Sequence, residues 1–213
     1  MSTIWASVST VDLGRLVHVC QALEEAGVDG IHVDVSDGVF TPDLTFGYRV
    51  VAALSTRLHI PVEAHLLVAN PEERLREVAE AGATRVSFHV EATPYPWRVI
   101  GTGRSMGMAF GVAINPVTPL ASLEYLLPGV DFVNVLTTEP DGRGERQLPS
   151  MDRRVAGARA ITGGGVPVQV DGGVREDNIA GLRAAGASEF VVGRALVDRE
   201  AMSDVLVTLR SLT

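Results

Sequence analysis

The sequence predicts an α/β fold of the (β/α)8 TIM-barrel type, and three observations predict it. Short β-branched runs recur eight times along the 213 residues, with stretches of helical periodicity between them. Three helix ends share an Ala-Gly step just before the next run, in EEAGVDGIHVDV, AEAGATRVSFHV and RAAGASEFVVGR. An open doubly wound sheet, the competing architecture, would carry a G-x-G-x-x-G turn after its first strand, and none follows here. Eight alternating units in a parallel sheet close into a barrel. No linker, low-complexity tract or second domain is visible, so residues 1–213 are expected to form one barrel domain.

Each element has its own signal. Strands are expected at 3–9, 30–36, 61–67, 84–89, 108–114, 130–137, 166–171 and 188–193. Helices of about ten to sixteen residues fit between them. The first helix follows from Leu13, Leu16, Val17, Cys20 and Leu23 at helical spacing, with Asp12 as its N-cap. Gly27, Gly82 and Gly186 stand where a chain leaving a helix turns left-handed, a conformation that costs glycine no Cβ clash. The third helix opens with Asn70 as N-cap, Pro71 in the first position and Glu72 and Glu73 in the first turn. The stretch EPDGRGERQLPS, 139–150, reads as a long loop after strand six.

Composition excludes several function classes. A net charge of −8 argues against nucleic acid, whose binders carry a basic face. No apolar run reaches the roughly 18 residues of a membrane span. The start MSTIWASVSTVD lacks the features of a signal peptide, and the lone Cys20 has no partner for an intrachain disulfide, so a cytoplasmic protein is expected. All 18 basic residues are arginine; without lysine, no mechanism through a lysine Schiff base or a lysine proton donor is open.

In such a barrel chemistry sits at the C-terminal ends of the strands. In GIHVDVSDG, Ile31, Val33 and Val35 share one face, and His32, Asp34 and Ser36 the other. The apolar face packs under the helices, so the polar face enters the barrel. By the same parity PVEAHLL turns Glu63, His65 and Leu67 inward, and VPVQVDGG turns Gln169 and Asp171 inward. Imidazoles and carboxylates inside a barrel have to be paired or ligated. His32, Asp34, His65 and Asp171 can converge on one divalent cation, and two imidazoles with two carboxylates suit Zn, Fe, Mn or Co. Spacing alone leaves a second reading open, in which each is a hydrogen-bonded core residue. Glu63 is expected to support the ligands from its place on the face of His65, or else to be internally bonded.

HVDVSDGVFTPDLTFG, EAHLLVANPEERL, FHVEAT, GVAINPVTPL and VDGGVREDNIAGLRAAGA occur in the order in which similar stretches occur in the ribulose-phosphate 3-epimerase family, and IWASVSTVDLGRL matches the family's first strand in outline. The chain resembles that family over nearly its whole length. The resemblance implies a metal-dependent, reversible epimerisation at C3 of a ketopentose 5-phosphate, with a sugar phosphate as partner and a homo-oligomer as assembly. It implies that His32, Asp34, His65 and Asp171 bind the metal, that Asp34 and Asp171 are the acid/base pair, and that Ser7 contacts substrate near the metal. Gly172, Gly173, Gly193 and Arg194 fall at the family's phosphate end. No organic cofactor is implied.

Departures from the family pattern are equally specific. Ser36, Leu67 and Leu136 stand where the family usually has methionines, and Glu63 replaces an aspartate. The strand-six loop reads Glu139, Pro140, Asp141, Gly142, Arg143, Gly144, and the pair after strand eight is Gly193–Arg194 in place of glycine–serine. Arg194 is expected to grip a phosphate, with Arg143 or Arg175 assisting. Two other readings stand beside the epimerase: a non-catalytic or altered-specificity sugar-phosphate-binding paralogue, and a decarboxylase of related barrels, which relies on a lysine this chain lacks.

Overall fold

The computed structural model describes residues 2–143, 146–197 and 201–213. Eight strands, β1 (Thr3–Ser7), β2 (Gly30–Ser36), β3 (Val62–Leu67), β4 (Arg85–His89), β5 (Ala109–Ile114), β6 (Phe132–Leu136), β7 (Val168–Asp171) and β8 (Glu189–Val192), form a closed parallel barrel in sequence order. Each lies within the expected range or trims it by up to two residues at an end. The helices outside are α1 (Leu16–Ala26), α2 (Tyr48–Ser55), α3 (Pro71–Glu80), α4 (Pro96–Ser105), α5 (Met151–Thr162), α6 (Ile179–Ala184), α7 (Arg194–Val197) and α8 (Met202–Leu212). No described helix is long and apolar enough to cross a membrane.

The expected left-handed exits are present, with φ of 93° at Gly27, 89° at Gly82 and 109° at Gly186. Other helix expectations need correction. Asp12 does not cap α1: the N-cap is Arg15, and the Asp12 carboxylate instead accepts from Gly14 N–H at 2.8 Å, in a turn before the helix. Leu13 is therefore outside the helix and 68% exposed. Asn70 does occupy the N-cap of α3 and Pro71 follows it, but the Asn70 side chain makes no capping bond. Between β5 and β6 no α-helix forms. Two 3-10 turns, Leu120–Leu123 and Leu127–Gly129, take its place, because Pro116, Pro119 and Pro128 deny the segment a continuous run of helical hydrogen bonds. α2 and α6, of 8 and 6 residues, are also shorter than expected.

The register shows two different interiors. Ile31, Val33, Val35, Ala64, Leu66, Val133, Val135, Val168 and Val170 point outward and join Leu23, Val51, Leu54, Leu75 and Leu209 from the helices in one apolar core. Inward residues stay out of that core and are largely polar. His32 pairs in register with Glu63, Asp34 with His65, Asn134 with Gln169 and Leu136 with Asp171. At the foot of the barrel the Arg85 guanidinium lies 3.5 Å from the Phe132 ring centroid and 4.7 Å from that of Trp5. It ion-pairs with Glu63 at 2.8 Å and with Glu189. Two glycines make room for the rings there: a Cβ on Gly30 would lie 2.3 Å from Trp5, and one on Gly111 2.4 Å from Phe132.

Candidate metal and catalytic site

The inward parity of β2, β3 and β7 delivers four side chains to one point at the barrel mouth. His32, Asp34, His65 and Asp171 each present a ligand atom, and these atoms lie within 4.8 Å of one another. His32 Nε2 is 3.2 Å from Asp34 Oδ1 and 3.4 Å from Asp171 Oδ2. His65 Nδ1 is 3.1 Å and 3.4 Å from the same two oxygens. Ligands about 2.0–2.2 Å from a shared divalent ion are spaced by roughly 3 Å or a little more, so the donors fit an ion in both chemistry and spacing. They can hold one metal.

The charges explain the cluster's proton balance. Burial lowers the affinity of His32 and His65 for protons, but the two aspartates outweigh it and raise both. Burial pushes Asp34 up, yet the His32 charge and hydrogen bonds from both rings bring it down to about 2. Asp171 is held low in the same way.

A ring of supporting contacts holds these groups. Ser7 Oγ donates to Asp34 Oδ2 at 3.3 Å, at the end of β1. Glu63 is fully buried and lies 3.3 Å from His32 Nδ1, an ion-pair distance without hydrogen-bond alignment. Gln169 Nε2 donates to Glu63 at 3.0 Å. The expected helper is thus in place, but behind His32 and not behind His65. Burial pushes Glu63 up, and the Arg85 charge more than reverses this. The neighbour of His65 is His89, with Nε2 to Nε2 at 2.9 Å. Sequence reasoning missed His89, although it shares the inward parity of Arg85 and Ser87 on β4 and the FHVEAT motif contains it. Burial lowers His89 to about 4.

The cleft above the cluster is lined by Ser7, Gly172, Gly173, Gly193 and Arg194. Gly172 and Gly173 line it, and among the described residues their amide N–H groups find no acceptor. Both have positive φ, 108° and 67°, and a Cβ on either would strike the β6–α5 loop, at Thr138 Oγ1 (2.3 Å) and Gln147 N (2.5 Å). Gly193 and Arg194 also line the cleft, and Arg194 Nη2 donates to the Arg143 carbonyl at 3.2 Å across the mouth. Arg143 itself turns outward, 3.3 Å from Asp141, and its side chain is 75% exposed. Arg175 does line the cleft, with a buried Nε that has no hydrogen-bond partner among the described residues. Gly144 of the loop motif lies outside the described residues.

Of the three positions where methionine was expected from the family, Leu67 and Leu136 are buried cleft walls. Ser36 lines the cleft too, but its hydroxyl is committed elsewhere. It donates to the Asp43 carbonyl at 2.7 Å and accepts from Thr45 N–H at 2.8 Å, pinning the β2–α2 loop. That loop contributes Asp43 to the cleft, a carboxylate that sequence reasoning missed although the HVDVSDGVFTPDLTFG motif contains it.

The model of the ribulose-phosphate 3 epimerase family matches residues 3–197. Ribulose-phosphate 3-epimerase 1 of Cupriavidus necator is 37% identical over 197 residues, covering 89% of this chain and 82% of its own. The ribulose-phosphate 3-epimerase of Methanocaldococcus jannaschii is 33% identical, with coverage of 99% and 90%. Among solved structures, the tryptophan synthase α-subunit of Pyrococcus furiosus superposes with a TM-score of 0.72 at 19% identity, covering 99% of this chain and 97% of the other; at that identity the likeness is one of fold alone.

Proposed function

The chain belongs to the ribulose-phosphate 3 epimerase family, and from that premise we propose that it inverts C3 of a ketose 5-phosphate, with Asp34 and Asp171 exchanging protons with opposite faces of the carbon. It is an isomerase, and the family supports sugar-phosphate epimerase activity. The observation that carries the finer reading is the pair of carboxylates from β2 and β7, both set against the same two imidazoles at the mouth.

One aspartate starts ionised and takes the C3 proton; the electron pair passes to the C2 oxygen and gives an enediolate. The other starts protonated and returns a proton to the opposite face, so a turnover exchanges their roles. In the ion-free cluster burial and the like charge of Asp171 favour a proton at Asp34, but the histidines oppose this and hold both aspartates low. His32, His65 and both aspartates would hold a divalent ion (Zn, Fe, Mn or Co), which when bound supplies Lewis-acid charge beside the developing enediolate. Ser7, bonded to Asp34, orients that carboxylate and faces the substrate. The free amides of Gly172 and Gly173, with Gly193, Arg194 and Arg175, form the anion end. Self-association belongs to the same proposal and is read by sedimentation.

Incubation with ribulose 5-phosphate in deuterated water tests this reading. Xylulose 5-phosphate carrying deuterium at C3 is expected, and Asp34→Asn and Asp171→Asn are each expected to cut turnover by about a thousandfold or more. Near-normal epimerisation by either variant would reject the two-base mechanism. A second reading, a paralogue of altered specificity, is favoured by the walls Leu67 and Leu136 and by Arg194 at the mouth. It predicts no exchange with ribulose 5-phosphate and deuterium uptake by another ketose phosphate.

A further inference from the structure

His89 takes no part in the proposed proton transfer. It is wholly buried, stacks on the His65 ring with centroids 5.0 Å apart, and packs against the tilted Phe40 ring at 4.9 Å. Its Nε2 is 2.9 Å from His65 Nε2, so between these two nitrogens one must donate and the other accept. His65 turns Nδ1 to Asp34 and Asp171, the side on which an ion would be held. A ligating nitrogen carries no proton, so neutral His65 keeps its proton on Nε2. His89 Nε2 then accepts, which leaves the His89 proton on Nδ1. That atom faces Glu91 Oε2 at 3.2 Å.

Burial pushes the Glu91 carboxyl up, but its donors bring it down to about 2, so it is ionised and can only accept. Its second oxygen accepts from Asn115 N–H at 2.8 Å and from the Thr118 hydroxyl. Arg154 Nη2 fixes those two residues in turn, donating to their carbonyls at 2.6 and 2.7 Å. The chain from Asn115 to His65 therefore admits one order of protons. In the reverse order a bare His89 Nδ1 would face the Glu91 carboxylate, lone pair against lone pair.

We propose that His89 and Glu91 are positioning residues that lock His65 into the tautomer able to ligate a divalent ion through Nδ1, and so raise the site's affinity for it. The inference rests on the metal reading above. It gives the two histidines unlike supports: His32 is backed directly by the Glu63 carboxylate, and His65 by a carboxylate acting through a second imidazole.

Calorimetric titration with Zn²⁺, on the unmodified chain and on His89→Leu, His89→Gln and Glu91→Gln, tests it together with long-range proton–nitrogen spectra of the imidazoles. His89→Leu is expected to weaken Zn²⁺ binding by about ten- to a hundredfold. His89→Gln, whose carbonyl can accept where Nε2 did, is expected to recover most of that loss, as bulk packing alone would not. The Zn²⁺-loaded unmodified chain is expected to show His65 protonated at Nε2 and His89 at Nδ1. A proton on His89 Nε2, or unchanged affinity in His89→Leu, overturns the relay and leaves the metal site standing. Failure of the unmodified chain to bind Zn²⁺ overturns both. If His89→Leu does not fold, the spectra of the unmodified chain and the affinity of Glu91→Gln, expected to be weakened, decide the matter alone.

Discussion

Arg194 is the residue on which the substrate reading turns. It lines the cleft beside Gly193 and reaches the Arg143 carbonyl, so its guanidinium already spans the mouth where an anion would sit. Arg194→Ala is expected to lower kcat/KM for a phosphorylated ketose by roughly ten- to a hundredfold, the loss of one charged hydrogen bond. Unphosphorylated analogues should be nearly unaffected, and an equal loss on both would refute a phosphate role. At this scale the sequence was most legible where parity decides. His32, Asp34, His65 and Asp171 could be placed because alternation along a strand dictates which side chains face inward. Partnerships across the barrel were not legible, since they depend on side-chain reach: Glu63 extends to His32, and His89 closes on His65. Ser36 is marked in the sequence only as a departure from the family's methionine, and only the folded loop reveals that its hydroxyl is spent on Asp43 and Thr45.

Strands were legible because β-branched runs with period two have few other uses in a soluble chain. Helix starts were less so. Asp12 has the chemistry of a cap, and a local turn to Gly14 N–H claimed it first. The β5–β6 connection has apolar spacing like a helix, and its prolines overrule that spacing. A prediction at this scale concerns how β1 and β2 meet. Gly30 is opposite Trp5 in the register, and the indole lies over its Cα. Gly30→Ala would set a methyl 2.3 Å from that ring. Overpacking of this kind costs about 1–3 kcal/mol, so a fall in Tm of roughly 2–12 °C is expected. Circular dichroism melting reads it, and an unchanged melt would show that Trp5 shifts freely in the barrel foot.

The whole molecule combines an apolar shell with an ionised centre, and its stability should reflect both. In the ion-free protein the raised proton affinity of His32 and His65 contributes stability fully below pH 6.5, fading as pH climbs through their higher folded values. Asp34 works in the opposite sense: its contribution is present above 3.8 and is lost as pH falls toward about 2. A divalent ion needs both rings neutral, so it displaces protons and binds more tightly as pH rises. At a thousand times its Kd an ion adds about 4 kcal/mol, or roughly 8–16 °C in Tm. Melting with and without a chelator should show that gap widening from about pH 6 to about pH 8. A gap independent of pH would mean that the ion is held by groups other than these histidines.

The Arg85 plug has a consequence for traffic. With its guanidinium pressed on Phe132 and clamped by Glu63 and Glu189, the barrel is stoppered at the foot. The wholly buried layer of His32, Glu63, Asn134 and Gln169 lies between that stopper and the mouth. A molecule reaching the cluster has therefore entered a cul-de-sac. It leaves by the doorway it came through, and the next arrival waits outside until it has gone.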